Sequence, residues 1–278
     1  MPPRKRAKLI ASPTAAGTEE GDLPAVDQLS DDTIAMIFGY IKVVEIMHLR
    51  QVCKKWKEAA KNAVAARDSR FCVNSVNKYR AMVVMTRALP NIQEIVLMDL
   101  NYGTRQGSKD RYADGEDPDD EEVDEEATDV TTHDINVVSS FRKLRTLSIW
   151  STHLNGRYPA LFDFPKLQQL KISCCKRIKF DLEMLVGLPS LKEIDFHSVN
   201  GLTGNIESLR VLKDNIKRVD IIRCPKVTGN FMHLADFPRL ECLNLLGTAV
   251  TGNIWDIGTK DFLKLEYLRL PHTVIGGG

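Results

Sequence analysis

Seven times beyond residue 88 the chain repeats one phrase, with an aliphatic or aromatic residue at its first, fourth and sixth positions. The copies are Ile92-x-x-Ile95-x-Leu97, Leu144-x-x-Leu147-x-Ile149, Leu167-x-x-Leu170-x-Ile172, Leu191-x-x-Ile194-x-Phe196, Ile216-x-x-Val219-x-Ile221, Leu240-x-x-Leu243-x-Leu245 and Leu265-x-x-Leu268-x-Leu270. From Leu144 onward the phrase returns after 23, 24, 25, 24 and 25 residues. A fixed period of this size marks one supersecondary unit per copy. Alternation within each phrase is that of a short strand with one buried face. No single copy can bury that face alone, so the copies must stack. The expected fold is α/β, a curved solenoid whose parallel concave sheet gains one strand per coil.

The residues between the phrases keep phase with them. Leu89-Pro90, Phe164-Pro165, Leu188-Pro189 and Phe237-Pro238 enter several copies, where a residue without an amide donor suits the stretch before a strand ladder begins. Thr152, Cys175, Val199, Cys224, Thr248 and Thr273 follow at a constant distance, and small side chains there can satisfy loop backbone buried between coils. Cys175 and Cys224 are accordingly read as structural. Next come Leu202-Thr203-Gly204-Asn205-Ile206, Val227-Thr228-Gly229-Asn230-Phe231 and Val250-Thr251-Gly252-Asn253-Ile254, where glycine at fixed phase predicts a positive-φ turn. These segments resemble leucine-rich repeats of the plant type, which implies a solenoid over residues 89–278.

One interval breaks the period. From Ile92 to Leu144 the interval is 52 residues, without a further phrase, so residues 101–134 are read as an insertion. Residues 109–134 hold thirteen carboxylates against Lys109 and Arg111. The formal charge of +1 is therefore a cancellation: this stretch sums to −11 and the rest of the chain to +12. Such a run of like charge is a solvated segment or a bait for basic partners.

Ahead of the repeats the pattern changes. Residues 1–26 have no sustained apolar period and read as a disordered leader. It carries Arg4, Lys5, Arg6 and Lys8, a cluster that resembles a nuclear import signal and implies an importin as partner. Localisation is expected in the nucleus, with the cytoplasm as second compartment. Over residues 27–62 apolar positions recur at helical spacing, as Ile34, Ile37, Phe38 and Ile41, then Ile46, Leu49, Val52, Cys53 and Trp56. Two short helices, broken near Lys42-Val43-Val44, are expected. A hairpin this small buries too little apolar surface to stand alone, so it is a docking module or a cap on the array. Residues 63–88 are read as a helical linker and first cap.

Leu29-Ser30, Ile34, Ile37-Phe38, Tyr40-Ile41, Glu45-Ile46, Leu49-Arg50 and Val52-Cys53-Lys54-Lys55-Trp56 together resemble an F-box, with Ser30 where that family usually has proline. The combination with leucine-rich repeats resembles the substrate receptors of Skp-cullin-F-box ubiquitin ligases. The resemblance implies that Leu29, Ile34, Ile37, Phe38, Leu49, Val52 and Trp56 anchor a Skp-type adaptor and through it a cullin complex. It also implies that the repeats hold a protein substrate, and that the chain is a non-catalytic subunit without a cofactor.

Alternation along the strands puts polar and aromatic side chains on the concave face. The residues singled out as substrate-binding are Trp150, Lys171, Asp195, His197, Arg223, Asn244, Tyr267 and Arg269, a mixture of types common at interface hot spots. Asp195 and His197 share a strand face without a serine in place to complete a triad, and the six histidines show no metal-ligand spacing. Catalysis and a metal site are therefore not expected. Six cysteines in a chain without a secretory signal read as reduced thiols, and the lack of a Cys-x-x-Cys pair argues against structural zinc. The longest strictly apolar run, Ala81 to Met85, is far below the roughly 20 residues of a membrane span, so no membrane partner is expected. The basic excess is spread along the chain rather than gathered in a stripe, which disfavours nucleic acid. The rival reading is a nuclear repeat protein that binds histones or other basic proteins through the acidic insertion.

Overall fold

The computed structural model describes residues 29–63, 70–73, 76–98, 138, 140–150, 156–157 and 164–276. The basic cluster of the leader and the acidic insertion lie outside the described residues. The chain divides into Met1–Ser30 and Asp31–Gly278, and the architecture below is that of the second unit.

Three short helices open it: α1 (Asp31–Phe38), α2 (Val43–Leu49) and α3 (Lys54–Lys61). Ile34 and Phe38, one helical turn apart on α1, are both buried, and Asp31 and Asp32 complement the positive end of its dipole. At the start of α2 the Glu45 carboxylate accepts the Lys42 backbone N–H at 3.2 Å. α3 packs against α1, where the Phe38 ring meets Trp56 edge-on at 5.6 Å and the buried Ala59 and Ala60 allow close approach. The stripe from Ile46 to Trp56 predicts one helix, but the chain breaks it. Cys53 is extended (φ −155°, ψ 171°) and stands at the N-cap position of α3. The break lets Trp56, Ala59 and Ala60 turn back onto α1, whereas an unbroken α2 would carry them past it.

In chain order there follow β1 (Arg70–Cys72), α4 (Val76–Ala88), β2 (Glu94–Met98), β3 (Thr146–Trp150), β4 (Gly156–Arg157), β5 (Gln169–Ser173), β6 (Ile178–Asp181), β7 (Glu193–His197), β8 (Gly201–Asn205), β9 (Arg218–Ile222), β10 (Val227–Thr228), β11 (Cys242–Asn244), β12 (Gly252–Asn253), β13 (Tyr267–Arg269) and β14 (Val274–Ile275). Among the described residues, β1, β2, β3, β5, β7, β9, β11 and β13 form one parallel sheet in that order. On the other side of the coils β4, β6, β8 and β10 form a second sheet, and β12 pairs with β14. The apolar positions of the first six phrases, Ile92 through Leu245, are all buried between the two sides. Leu265, Leu268 and Leu270 stay half-buried, since no further described coil stacks on them.

β2 pairs directly with β3, Ile95 opposite Leu147, so the long interval before Leu144 puts no strand between them. The stretch 63–88 holds a strand as well as the expected helix. β1 carries none of the repeat phrase, yet it lies parallel to β2 with Phe71 opposite Leu97. It satisfies an edge whose backbone groups would otherwise stand open, a need set by the sheet and not by Arg70-Phe71-Cys72 itself. Asn91 Nδ2 donates to the Lys61 carbonyl at 2.7 Å and ties the end of α3 to the first coil.

The spacing constraint at each coil has a visible cause. Asp181, Asn205, Asn230 and Asn253 each cap a following 3-10 turn by accepting a backbone N–H two residues on, at 2.9–3.1 Å. Gly204, Gly229 and Gly252 precede the last three caps with φ of 117°, 110° and 141°. A Cβ on Gly229 would lie 2.2 Å from Asn205 Oδ1, the capping atom of the coil before. Gly229→Ala is therefore expected to destabilise the protein by about 2–3 kcal/mol, combining left-handed strain with a displaced cap. Urea unfolding of the two proteins measures this, and an unchanged midpoint would show that the ladder does not constrain the coils.

The slot behind the strands is filled by Cys175, Val199, Cys224 and Thr248, all buried. Thr248 Oγ1 donates to the Leu245 carbonyl at 2.7 Å, and burial pushes the Cys224 thiol up to about 11. A thiol held protonated in an apolar slot is a packing group. One residue earlier the chain leaves the sheet through left-handed backbone at Cys174, Ser198, Arg223 and Gly247. The N–H groups of Cys174, Ser198 and Arg223 donate to the carbonyls of His197, Ile222 and Leu246 in the next coil.

Successive coils are also tied on the surface. Arg210 donates from Nη1 and Nη2 to the two Asp236 oxygens at 3.0 Å, and Lys213 donates to the same carboxylate. These bonds hold Asp236 down to about 2 from an ordinary 3.8. A depressed carboxylate stabilises the fold above its ordinary value and loses that contribution as pH falls through the folded one. The melting-temperature advantage of the parent over Asp236→Asn is expected to shrink between about pH 4 and pH 2, and to be smaller in high salt. An advantage constant across that range would mean the ion pair contributes nothing.

Candidate protein-binding surfaces

On the helical module the expected adaptor anchors separate into two sets. Ile34 and Phe38 are inside, 1% and 0% exposed, and hold α1 to α3. Ile37 and Val52 face outward at 41% and 67%. Leu29, Leu49 and Trp56 are half-buried, and the Trp56 Nε1 is buried without a hydrogen-bond partner. Met36 and Tyr40, 63% and 76% exposed, join Ile37 on the outer side of α1. Neither was among the anchors expected from the sequence. The signal for them was that α1 carries more apolar residues than one buried stripe can use, so a second stripe must face outward. Met47, Arg50, Gln51, Cys53, Lys54, Lys57 and Val84 line an open hollow of about 530 Å³, basic at its rim.

The eight-stranded face is the second surface. Period-two alternation puts the phrase residues inside and their neighbours on the face. Parallel register then aligns them across coils. Ser148, Lys171, Asp195, Asp220, Asn244 and Arg269 form one row, each directly opposite the next. Trp150, Ser173, His197 and Ile222 form a row towards the strand ends. Glu193, Arg218, Cys242 and Tyr267 form a row towards the strand starts. Trp150 and Tyr267 stand about half exposed.

Four of the eight residues singled out from the sequence, Lys171, Asp195, Asn244 and Arg269, thus share the central row, while Trp150, His197 and Tyr267 occupy the flanking ones. Arg223 is not on a strand; it stands at the left-handed turn after β9. Asn244 is only 5% exposed, and its Oδ1 accepts the Leu246 N–H at 3.3 Å, which commits it to the turn. Asp220 and Arg218 belong with the central group although alternation gave no reason to prefer them. Arg218 Nη1 donates to Asp220 Oδ2 and to Cys242 Sγ, each at 3.2 Å.

The electrostatics of this centre follow from burial and register. Burial and the facing Asp220 carboxylate push the Asp195 carboxyl up. Burial, with help from Arg223, pushes His197 down. The bond to Asp220 raises Arg218, and burial and Asp220 raise the Cys242 thiol. No group of three His, Cys, Asp or Glu among the described residues is placed to hold a metal ion, and no described helix is long and apolar enough to cross a membrane. What the face offers is charge and half-exposed aromatic rings on a rigid sheet, the chemistry of protein contact.

Comparison with known proteins bears on both parts. Residues 26–64 match the F-box domain family. No curated protein matches the sequence. Among solved structures, an internalin from Listeria monocytogenes superposes with a TM-score of 0.44 at 12% identity, covering 78% of this chain and 51% of the internalin. The Arabidopsis receptor kinase HAESA, in complex with the peptide hormone IDA and the co-receptor SERK1, gives 0.40 at 14% identity, covering 61% of this chain and 24% of that one. A plant ice-binding protein gives 0.37 at 20% identity, over 49% and 51%. The chain thus spans about half of the internalin or less than a third of the receptor, and the assignment of its coils rests on its own repeat and sheet. Residues 26–64 thus carry an F-box domain match, and the coils that follow add one parallel strand for each repeat phrase, which is a leucine-rich-repeat type of array.

Proposed function

We propose that this protein is the substrate-recognition subunit of an SCF-type ubiquitin ligase. Its helical module docks on a Skp-type adaptor and so joins a cullin complex, while the eight-stranded face holds the target protein. The observation that carries this reading is the set of exposed apolar side chains Met36, Ile37, Tyr40 and Val52 within the F-box match, left outside after Ile34 and Phe38 have closed the module. Soluble surfaces keep such residues together where a partner covers them. The chain catalyses nothing itself in this role; it raises the local concentration of target at the enzyme that transfers ubiquitin. The basic cluster Arg4, Lys5, Arg6 and Lys8 supports nuclear import by an importin.

Co-expression of the full chain with a Skp-type adaptor tests the reading: a stoichiometric complex on gel filtration is the expected result. If the chain elutes alone, and instead captures histones through residues 109–134 in a salt-sensitive manner, the reading as a nuclear basic-protein binder replaces it.

A further inference from the structure

The β7–β9 pair carries three carboxylates on the sheet face, Glu193, Asp195 and Asp220, against one strand-borne cation, Arg218. Asp195 and Asp220 are direct cross-strand partners, an arrangement that like charges make unfavourable. Arg218 is already committed: it bonds Asp220 at 3.2 Å and stands directly opposite Glu193. Lys171 is directly opposite Asp195 from β5, yet among the described residues no cation comes within ion-pair distance of Asp195. His197, two residues along the same strand, is pushed down by burial and by Arg223 against the pull of Asp195. Asp195 itself is only half exposed, so water compensates its charge poorly.

The centre of the face is thus one positive charge short, while Ile222 and Leu246 offer apolar surface among the polar strand ends beside it. Ile222 lies two residues beyond Asp220 on the same side of β9, and Leu246 follows in the next coil at 38% exposure. A long basic side chain fits both features, with its aliphatic stem along Ile222 and its charged head between the carboxylates. We infer that Asp195 and Asp220 together receive a lysine or arginine side chain of the bound protein. The inference rests on the reading that the eight-stranded face holds the target, and it adds the class of residue the target must present.

The test uses the full chain, immobilised and panned against a random peptide display library. One selected peptide is then measured by calorimetry against the parent, Asp195→Asn, Trp150→Ala and Tyr267→Ala proteins. The expected result is a lysine or arginine at a fixed position in the selected peptides. Asp195→Asn should lower affinity about ten-fold, the equivalent of one charge pair of about 1.4 kcal/mol. Replacing the peptide's basic residue by norleucine should cost the same, and the two changes together no more than either alone. Asp195→Asn should melt no lower than the parent, since it removes a like-charge contact, so a lost interaction cannot be ascribed to unfolding. Peptides that depend on Trp150 or Tyr267 but carry no fixed basic residue, or that ignore Asp195→Asn, overturn the inference and leave the face as the target site. Peptides indifferent to all three variants overturn both.

Discussion

Replacing Ile37 and Val52 together by aspartate is expected to abolish co-purification with a Skp-type adaptor while leaving the melting temperature nearly unchanged. Both side chains are exposed in the free protein, where a charge is solvated and surface substitutions shift stability by no more than about 0.5 kcal/mol. In a docked complex the same charges would be pressed into an apolar interface without partners. Even a few kcal/mol per buried charge reduces affinity by more than about a hundred-fold. Phe38 belongs to a different experiment. Fully buried against Trp56, it is expected to lose about 3–5 kcal/mol of stability as Phe38→Ala, so a charge there reports unfolding of the module and not loss of a contact. Far-UV melting beside gel filtration separates the two effects. Adaptor binding that survives Ile37→Asp with Val52→Asp would sink the docking assignment.

Phe196→Ala is expected to be the most destabilising single change in the coils, at about 3–5 kcal/mol. Phe196 closes the phrase that begins at Leu191, is fully buried, and meets Phe180 edge-on at 5.2 Å. Phe180 comes from β6 on the outer side, so this one contact joins both sides of the solenoid. Truncation leaves a cavity that neither sheet can close, because β7 is held between β5 and β9 and the coils on either side fix its height. Coil stability depends on neighbour contacts, so the loss should also broaden the unfolding transition by uncoupling the coils before β7 from those after it. Calorimetric unfolding of the variant measures both effects. A loss below about 1 kcal/mol would mean the array tolerates a void there.

Much of the array was legible in the sequence because its determinants are local. A residue one position along a strand points to the opposite face, so the phrase Leu191-x-x-Ile194-x-Phe196 announces both its strand and its inward side chains. Thr-Gly-Asn, present in three of the coils, is equally plain, since a positive φ and an Asn cap are properties of three or four consecutive residues. The helical module was less legible. Ile34, Ile37 and Phe38 all satisfy a helical stripe, but only the packing of α3 on α1 decides that Ile34 and Phe38 turn inward and Ile37 does not. Val52 and Cys53 continue the apolar spacing of α2, yet the chain must break there for Trp56 to reach Phe38. The edge strand β1 left no trace of its own, because its pairing is imposed by β2.

By itself the sequence determined the coil: its period, its buried ladder, its slot of Cys, Val and Thr, and the face on which Lys171, Asp195, His197, Tyr267 and Arg269 would appear. Only the tertiary structure decided which of those residues meet. Asp195 and Asp220 are 25 positions apart in the chain and become cross-strand partners because parallel register closes each coil at the same height whether it contains 24 residues or 25, the difference being absorbed in the turns. Side-chain direction is a property of the local backbone, whereas the neighbour across a sheet is a property of closure. The charge the face lacks can therefore be read only after the coils are stacked.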